Sequence, residues 1–185
     1  MTKLHIITAS TRPGRVGPAI SAWLENLCTP LPHIHARMLD LADYDLPIFN
    51  EPKHPRLGQY EHAITRQWAN DIASADAFVF VFPEYDHMPP ASLINAITYL
   101  SKEWQYKPAG LVSYGGVSAG LRAAQALKPM LAGLKIVPLV EAVAVPMIAE
   151  KVSDGVFEST PLLQQAAEQM FAELHRWSGA LKTLR

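Results

Sequence analysis

The sequence contains a single cysteine, Cys28, among 185 residues. One cysteine allows no internal disulfide and no thiolate metal cluster, so Cys28 is predicted to be a small core residue at the end of the first helix. Long apolar runs are also missing, because the most apolar late stretch, residues 136–149, is interrupted by Pro138, Glu141 and Pro146. The first residues do not have the pattern of a signal peptide. We therefore expect a cytoplasmic protein with no membrane partner.

Neither sign of charge is in excess. The 16 Lys and Arg against 17 Asp and Glu give a formal net charge of −1, which provides no electrostatic attraction for nucleic acid or an anionic membrane. With 49% hydrophobic and 18% charged residues, the composition is that of an ordinary globular protein. The length fits one domain, residues 1–185.

Several nucleotide and metal motifs are absent. No Gly-x-Gly-x-x-Gly follows a predicted strand and no P-loop lysine is present, so Rossmann-type NAD binding and ATP hydrolysis lose support. The seven histidines show no metal-ligand spacing. His33 and His35 would share one strand face, but a third ligand is lacking. We predict no metal site.

Short β-branched runs alternate with longer amphipathic runs along the chain, which predicts strands and helices in alternation. The predicted strands are Leu4–Thr8, Ile34–Leu39, Ala77–Phe82, Ala109–Ser113 and one between Ile136 and Val145. The predicted helices are Pro18–Leu27, Tyr60–Ser74, Ala91–Leu100, Leu121–Leu131 and a closing helix capped by Thr160-Pro161. Residues 40–58, rich in proline, are predicted to be a long loop. Right-handed crossovers then give a doubly wound α/β fold with helices on both faces of a parallel sheet.

In such a sheet, ligand sites lie at the carboxyl ends of the strands. The loop after the first strand, residues 9–17, holds hydroxyls at Ser10 and Thr11 and charges at Arg12 and Arg15. It leads into a helix whose first amides attract anions. The loop is therefore a candidate phosphate site, although a polar loop with two solvated arginines has the same composition.

Two further loops follow the third and fourth strands. Residues 83–90 combine rigid prolines with an aromatic ring and two acids, which suits the edge of a flat ligand, or simply a stiff surface loop. Residues 113–120 contain glycines that let a backbone approach a ligand closely. Each loop alone is a weak signal, and the order of all three is more specific.

Taken together, Ser10-Thr11-Arg12-Pro13-Gly14-Arg15, Pro83-Glu84-Tyr85 with Pro90, Leu93 and Asn95-Ala96-Ile97, and Ser113-Tyr114-Gly115-Gly116 resemble the NADPH-dependent FMN reductase family of flavodoxin-like proteins. The match in order and spacing covers almost the entire chain. The resemblance implies a five-stranded sheet in the order 2-1-3-4-5, tightly bound FMN, and two-electron transfer from NADPH or NADH. The implied acceptors are small molecules: quinones, free flavin, azo dyes or metal oxyanions. It also implies a homodimer or homotetramer with the flavin near a subunit interface.

The resemblance further implies which residues bind the flavin. The expected set surrounds the phosphate with Ser10, Arg12, Arg15, Val16 and Gly17, one part of the ring with Pro83, Glu84, Tyr85 and Asp86, and the other edge with Tyr114, Gly115, Gly116 and Ser118. Three positions depart from what is usual in the family: Asp86 stands where Asn is common, Ile94 where Lys is common, and Thr98 where Asp is common. These departures concern substrate preference and subunit contacts more than flavin binding.

No side chain is predicted to be an obligatory acid or base, since hydride passes directly between stacked nicotinamide and flavin rings. His87 is a candidate proton donor to a reduced quinone, or a solvated loop histidine. Two alternatives to an enzyme stay open: a non-enzymatic flavodoxin-like electron carrier and a flavin-binding regulatory protein. Carriers of this kind tend to be strongly acidic, whereas this chain is nearly neutral, which favours small substrates.

Overall fold

Five parallel strands form the central sheet of the computed structural model, which describes residues 1–185. Their spatial order, β2-β1-β3-β4-β5, is the predicted one. The strands are β1 Thr2–Thr8, β2 Ile34–Asp40, β3 Ala77–Pro83, β4 Pro108–Tyr114 and β5 Val137–Val145.

Helices cover both faces of this sheet, as predicted. They are α1 Gly17–Cys28, α2 Leu41–Tyr44, α3 Ala63–Ser74, α4 Ala91–Thr98, α5 Leu121–Gly133 and α6 Pro161–Leu181. The core on one face holds residues from α2, α3, α4 and α5, and the core on the other face holds residues from α1 and α6. No helix combines the length and the apolar character needed to cross a membrane.

The central strand β3 explains why the two cores form. Phe78, Phe80 and Phe82 point into the α3–α5 core, while Val79 and Val81 point into the α1–α6 core, and all five are fully buried. Alternate residues of a strand face opposite sides, so a strand covered on both faces must be apolar throughout.

Hydrogen bonds from backbone amides to side chains mark where two of the helices begin. The Thr160 hydroxyl accepts a hydrogen bond from the Leu163 amide at 3.3 Å and begins α6, as predicted. Cys28 is buried at the end of α1, also as predicted. The helix predicted from Tyr60 instead begins at Ala63. Its position is set by Glu51, whose carboxylate accepts hydrogen bonds from the amides of residues 61 and 62.

The sequence patterns also missed some short elements. The segment 40–58, predicted to be a loop, contains α2 and a 3-10 turn, Pro55–Leu57. The Asp40 carboxylate caps α2 by accepting from the Ala42 amide at 3.0 Å. After β5, the strands β6 Val152–Ser153 and β7 Val156–Phe157 form a small antiparallel hairpin.

The register of the sheet places three loops side by side. Thr8 at the end of β1 pairs with Val81 of β3, and Phe82 of β3 pairs with Ser113 of β4. The chain therefore leaves these three strands at one edge of the sheet. We call the following segments loop 1 (residues 9–16), loop 2 (residues 84–90) and loop 3 (residues 115–120).

Candidate functional site

Loop 1 presents uncapped donors at one end of this edge. The residue before α1, Val16, makes no side-chain hydrogen bond to the helix, so no side chain caps the first turn. Ser10 is buried, whereas Arg12 is exposed and makes no ion pair or side-chain hydrogen bond. Amides at a helix start together with a free guanidinium favour an anion.

Arg15 is held differently from Arg12. One of its Nη atoms pairs with the carboxylate of Asp40 at the end of β2, and both side chains are 22% exposed. Its Nε atom is buried and has no hydrogen-bond partner. A buried donor without a partner is costly in a folded protein, and a bound anion would satisfy it. Asp40, which the sequence reasoning missed, could have been found from the register, because it pairs with Thr8 next to loop 1.

Gly17 begins α1 where there is no room for a larger residue. A Cβ atom at this position would lie 3.0 Å from the Tyr114 hydroxyl and 3.1 Å from the Thr8 methyl group. The hydroxyl of Tyr114, at the end of β4, therefore lies beside the start of α1. Burial raises the pKa of Tyr114, and the neighbouring Tyr85 raises it further, so this phenol stays protonated at neutral pH.

Loop 2 folds back on itself in a two-residue turn. Tyr85 and Met88 exchange backbone hydrogen bonds, Tyr85 N to Met88 O at 3.0 Å and Met88 N to Tyr85 O at 2.8 Å. The residues between them, Asp86 and His87, both have left-handed backbone angles, with φ of 49° and 68°. This is the geometry of a type I′ turn, in which Asn and Asp tolerate positive φ better than most residues. Both side chains are exposed at the tip of the turn.

A tyrosine of loop 2 connects it to loop 1. The Tyr85 hydroxyl lies 2.9 Å from the Ser10 hydroxyl, and either group can donate. The Tyr85 side chain keeps 37% of its surface exposed. Its ring therefore lies against open space while its hydroxyl reaches the candidate phosphate end.

A glutamate of loop 2 connects it to loop 3. The Glu84 carboxylate, 6% exposed, accepts hydrogen bonds from the Ser118 hydroxyl at 3.0 Å and from Arg122 Nε at 2.7 Å. It also accepts from the backbone amides of Arg122 and Ala123 in the first turn of α5. Burial alone would raise the pKa of Glu84, but the bonds from Ser118, Ala123 and Arg122 lower it below its ordinary value. The carboxylate is thus committed to holding loop 3, and the Glu84 amide donates to the Tyr114 carbonyl at 3.0 Å.

Loop 3 packs against the end of β4 and is hydrogen-bonded to the segment that follows β5. The residue before α5, Gly120, has φ of 76°, and a Cβ there would lie 2.8 Å from the Tyr114 backbone nitrogen. Gly116 accepts a hydrogen bond from the Met147 amide at 3.0 Å, beyond the end of β5. Gly116, which is exposed, and Gly115, which is half-buried, therefore lie on a rigid support at the same edge as loops 1 and 2.

A groove of about 850 Å³ opens beside loops 1 and 2. It is bounded by Thr11 and Met88 at the loops, by Ile48 of the segment after α2, and by Ile94 and Thr98 of α4. The volume is within the range of small-ligand sites, and the lining is largely apolar. Two of the three positions that depart from the usual family pattern, Ile94 and Thr98, lie on this surface.

Comparison with known proteins assigns the chain to a family. The family described as NADPH-dependent FMN reductase matches residues 2–150. An NAD(P)H-dependent FMN reductase of Schizosaccharomyces pombe is 36% identical over 160 residues, which cover 84% of this chain and 78% of that protein. One from Saccharomyces cerevisiae is 32% identical over 145 residues, 72% of this chain and 75% of that protein.

The chain belongs to the NADPH-dependent FMN reductase family. It is an oxidoreductase of a family that uses NAD(P)H and FMN. Among solved structures, FerB, a flavoenzyme NAD(P)H:(acceptor) oxidoreductase from Paracoccus denitrificans, has a similar fold. The TM-score is 0.77 with 21% sequence identity, covering 97% of this chain and 98% of FerB.

The residues of this family member fit the cofactor of the family at the phosphate end. The phosphate of FMN carries negative charge and needs several donors. Arg12, the unpartnered Nε of Arg15 and the hydroxyl pair of Ser10 and Tyr85 supply them around one helix start. The structure contains no cluster of three or more His, Cys, Asp or Glu side chains that could hold a metal ion.

Proposed function

We propose that this chain passes two electrons from NAD(P)H through bound FMN to a small acceptor such as a quinone or free flavin. The observation that carries the proposal is the adjacency of three features: the donor-rich loop 1, the turn of loop 2, and the apolar groove beside both. A groove of this size admits a small planar molecule. The formal net charge of −1 gives no strong field for steering a protein partner.

We propose that FMN is held by all three loops. Loop 1 and the start of α1 would bind the phosphate, and the backbones of loops 2 and 3 would border the ring. The proposed set is Ser10, Arg12, Arg15, Val16, Gly17, Pro83, Glu84, Tyr85, Asp86, Tyr114, Gly115, Gly116 and Ser118. Within it, the geometry supports Glu84 as a residue that positions loop 3 rather than one that contacts the ring through its carboxylate.

When bound, FMN supplies the ring that accepts the hydride. The protein therefore has to orient the reactants and to prevent them from binding in unreactive positions. Met88 of the loop 2 turn and the apolar side chain of Ile94 border the space in which a second planar molecule would lie. We assign no side chain an obligatory proton transfer. Donor and acceptor share one groove, so we propose that they bind in turn.

The phosphate end is tested with Arg12→Ala. A charge-assisted hydrogen bond contributes about 1.5–3 kcal/mol, so losing it weakens FMN binding by roughly one to two orders of magnitude. Riboflavin, which lacks the phosphate, should bind the wild type much more weakly than FMN does, and should bind wild type and variant equally. Fluorescence titration measures both affinities, and Arg176→Ala, a change of an arginine side chain that is 79% exposed on α6, serves as control. Equal wild-type affinity for FMN and riboflavin would refute a phosphate site.

The shared groove is tested by steady-state kinetics with NAD(P)H and a quinone varied together. Alternating occupancy gives parallel double-reciprocal lines, whereas a complex that holds both substrates gives intersecting lines. An FMN-loaded protein without any turnover would favour an electron carrier or a regulatory flavin protein. The cytoplasmic location and the homodimeric or homotetrameric assembly stay predictions.

A further inference from the structure

A second pocket, of about 630 Å³, lies at the far end of the groove. Both spaces are bounded by Thr98, the last residue of α4, so they adjoin there. The long segment between β2 and α3 lines both, first with Ile48 in the groove and then with Phe49 in the pocket. We call this second space the basic pocket, because Lys53, His54 and Arg56 line it.

The basic side chains of this pocket have almost no partners within the protein. Arg56 is exposed, and its guanidinium makes no hydrogen bond and no ion pair. Lys53 has one distant contact, Nζ to a Glu61 carboxylate oxygen at 3.5 Å, between side chains that are 47% and 54% exposed. Pairs this exposed contribute little stabilisation and exchange readily for another anion.

The histidine of the pocket is oriented as a donor. The Arg56 backbone amide donates to His54 Nδ1 at 3.1 Å, so Nδ1 carries no proton and the ring proton lies on Nε2. The one carboxylate in the lining, Glu51, is only 6% exposed. Its two oxygens accept the backbone amides of residues 61 and 62 at 2.8 and 3.0 Å, so its charge is directed into α3. The pocket thus offers an ammonium, an imidazole N–H and a guanidinium, of which only the ammonium has an anionic neighbour, the exposed Glu61 carboxylate at 3.5 Å.

The groove connects this pocket with the loops of the candidate flavin site. Ser92 of α4, whose hydroxyl donates to the Ala9 carbonyl at the start of loop 1, lies at the near end. Thr98 lies six residues further along the helix, which corresponds to about 9 Å. A ligand whose reactive end lies at loop 2 must therefore be elongated to reach the basic pocket, and its middle must tolerate an apolar wall.

Building on the proposed function, we propose that the basic pocket binds the 2′-phosphate of NADPH and makes the chain prefer NADPH to NADH. The dinucleotide lies along the groove, with its nicotinamide at loop 2 and its adenosine end at Lys53, His54 and Arg56. A guanidinium matches two oxygens of a phosphate monoester, and an ammonium adds a second charge. NADH has a hydroxyl at the same position and gains neither contact.

The test compares Arg56→Gln with the wild type as FMN-loaded proteins. Loss of one charge-assisted phosphate contact should lower kcat/KM for NADPH about tenfold to a hundredfold and leave kcat/KM for NADH unchanged. Arg176→Gln, the same change at a solvated arginine of α6, should alter neither value. Calorimetric titration adds a readout independent of turnover. Adenosine 2′,5′-bisphosphate should bind the wild type at least tenfold more tightly than adenosine 5′-diphosphate, and Arg56→Gln, which keeps Lys53, should reduce this difference about tenfold.

Two kinetic results would overturn the proposal: equal use of NADPH and NADH by the wild type, or an equal loss for both nucleotides in Arg56→Gln. If neither nucleotide supports turnover, the proposed function fails and the titration decides the pocket alone. Tighter binding of the 2′,5′-bisphosphate to the wild type than to Arg56→Gln then supports the pocket, and equal binding refutes it.

Discussion

Glu84 is the side chain whose removal should disturb the candidate site most without touching its open surface. Its carboxylate accepts hydrogen bonds from a hydroxyl, a guanidinium and two backbone amides at the start of α5. The residue before that helix, Gly120, has no side chain to cap it, so Glu84 acts as the cap from a distant loop. We consider the replacements Glu84→Gln and Glu84→Ala.

The expected loss follows from these contacts. The part of the interaction that involves the Arg122 guanidinium is worth little, because that side chain is 53% exposed. The bonds from the Ser118 hydroxyl and the Ala123 amide are partly buried and charge-assisted, and we take about 1.5–3 kcal/mol for this part of the interaction. Glutamine keeps the shape but turns an N–H₂ toward donors, so we expect Glu84→Gln to lower the free energy of unfolding by about 2 kcal/mol and Glu84→Ala by about 3 kcal/mol.

The effect should also depend on pH. The folded-state pKa of Glu84 lies below the ordinary value of 4.5, so the unfolded chain takes up the proton first on acidification. The stabilisation is therefore complete above pH 4.5 and is lost as the pH falls through the folded-state pKa. The difference between wild type and Glu84→Gln should shrink in the same range.

Urea unfolding followed by circular dichroism measures this difference at neutral and acidic pH. Glu168→Gln is the matched control, since the carboxylate of this exposed residue accepts only from the Gln164 side chain. It should change stability by less than about 0.5 kcal/mol. Unfolding curves of Glu84→Gln that coincide with those of the wild type at neutral pH would show that the carboxylate is dispensable to α5 and loop 3.

Two further outcomes are expected. Asp86→Asn keeps a residue that tolerates positive φ and removes a negative charge beside the proposed ring. Because Asp86 is exposed, we expect the two-electron midpoint potential of the flavin to rise by only about 20 mV. A redox titration that shows an unchanged or lowered midpoint potential would contradict this. Gly120→Ala should destabilise the fold far more than Gly14→Ala: both glycines have positive φ, 76° and 73°, but only at Gly120 would the new Cβ meet the Tyr114 backbone. Thermal unfolding compares the two variants, and equal losses would rule out the clash.

The long strands and helices could be predicted from the sequence, because their apolar residues recur with a regular period. The segment from Phe78 to Phe82 is apolar at every position, as a strand covered by helices on both faces must be. This pattern identifies it as the central strand of the sheet. Once the strands are parallel, loops 1, 2 and 3 must lie at one edge, so their grouping followed as well. Elements of two to four residues, such as α2 and the β6–β7 hairpin, are too short to show a period and were missed.

Side-chain direction could not be read from sequence in the same way. Arg15 and Asp40 are 25 residues apart and meet only because β1 and β2 are neighbours in register. Glu84 and Tyr114 belong to motifs that indicate a flavin site, yet one turns toward α5 and the other toward Gly17. A motif identifies which residues gather at a site, while packing decides which of them support the others.

Because hydrogen bonds connect the three loops, some residues of the site can be replaced singly in evolution and others cannot. A change at Glu84, Ser10 or Tyr85 alters two loops at once, so a new specificity that requires it must also preserve the fold. Asp86 and His87, by contrast, project from the tip of a turn whose hydrogen bonds are all backbone. Variation among homologues, and any directed search for a new electron acceptor, should therefore concentrate at these two turn positions and along the groove wall.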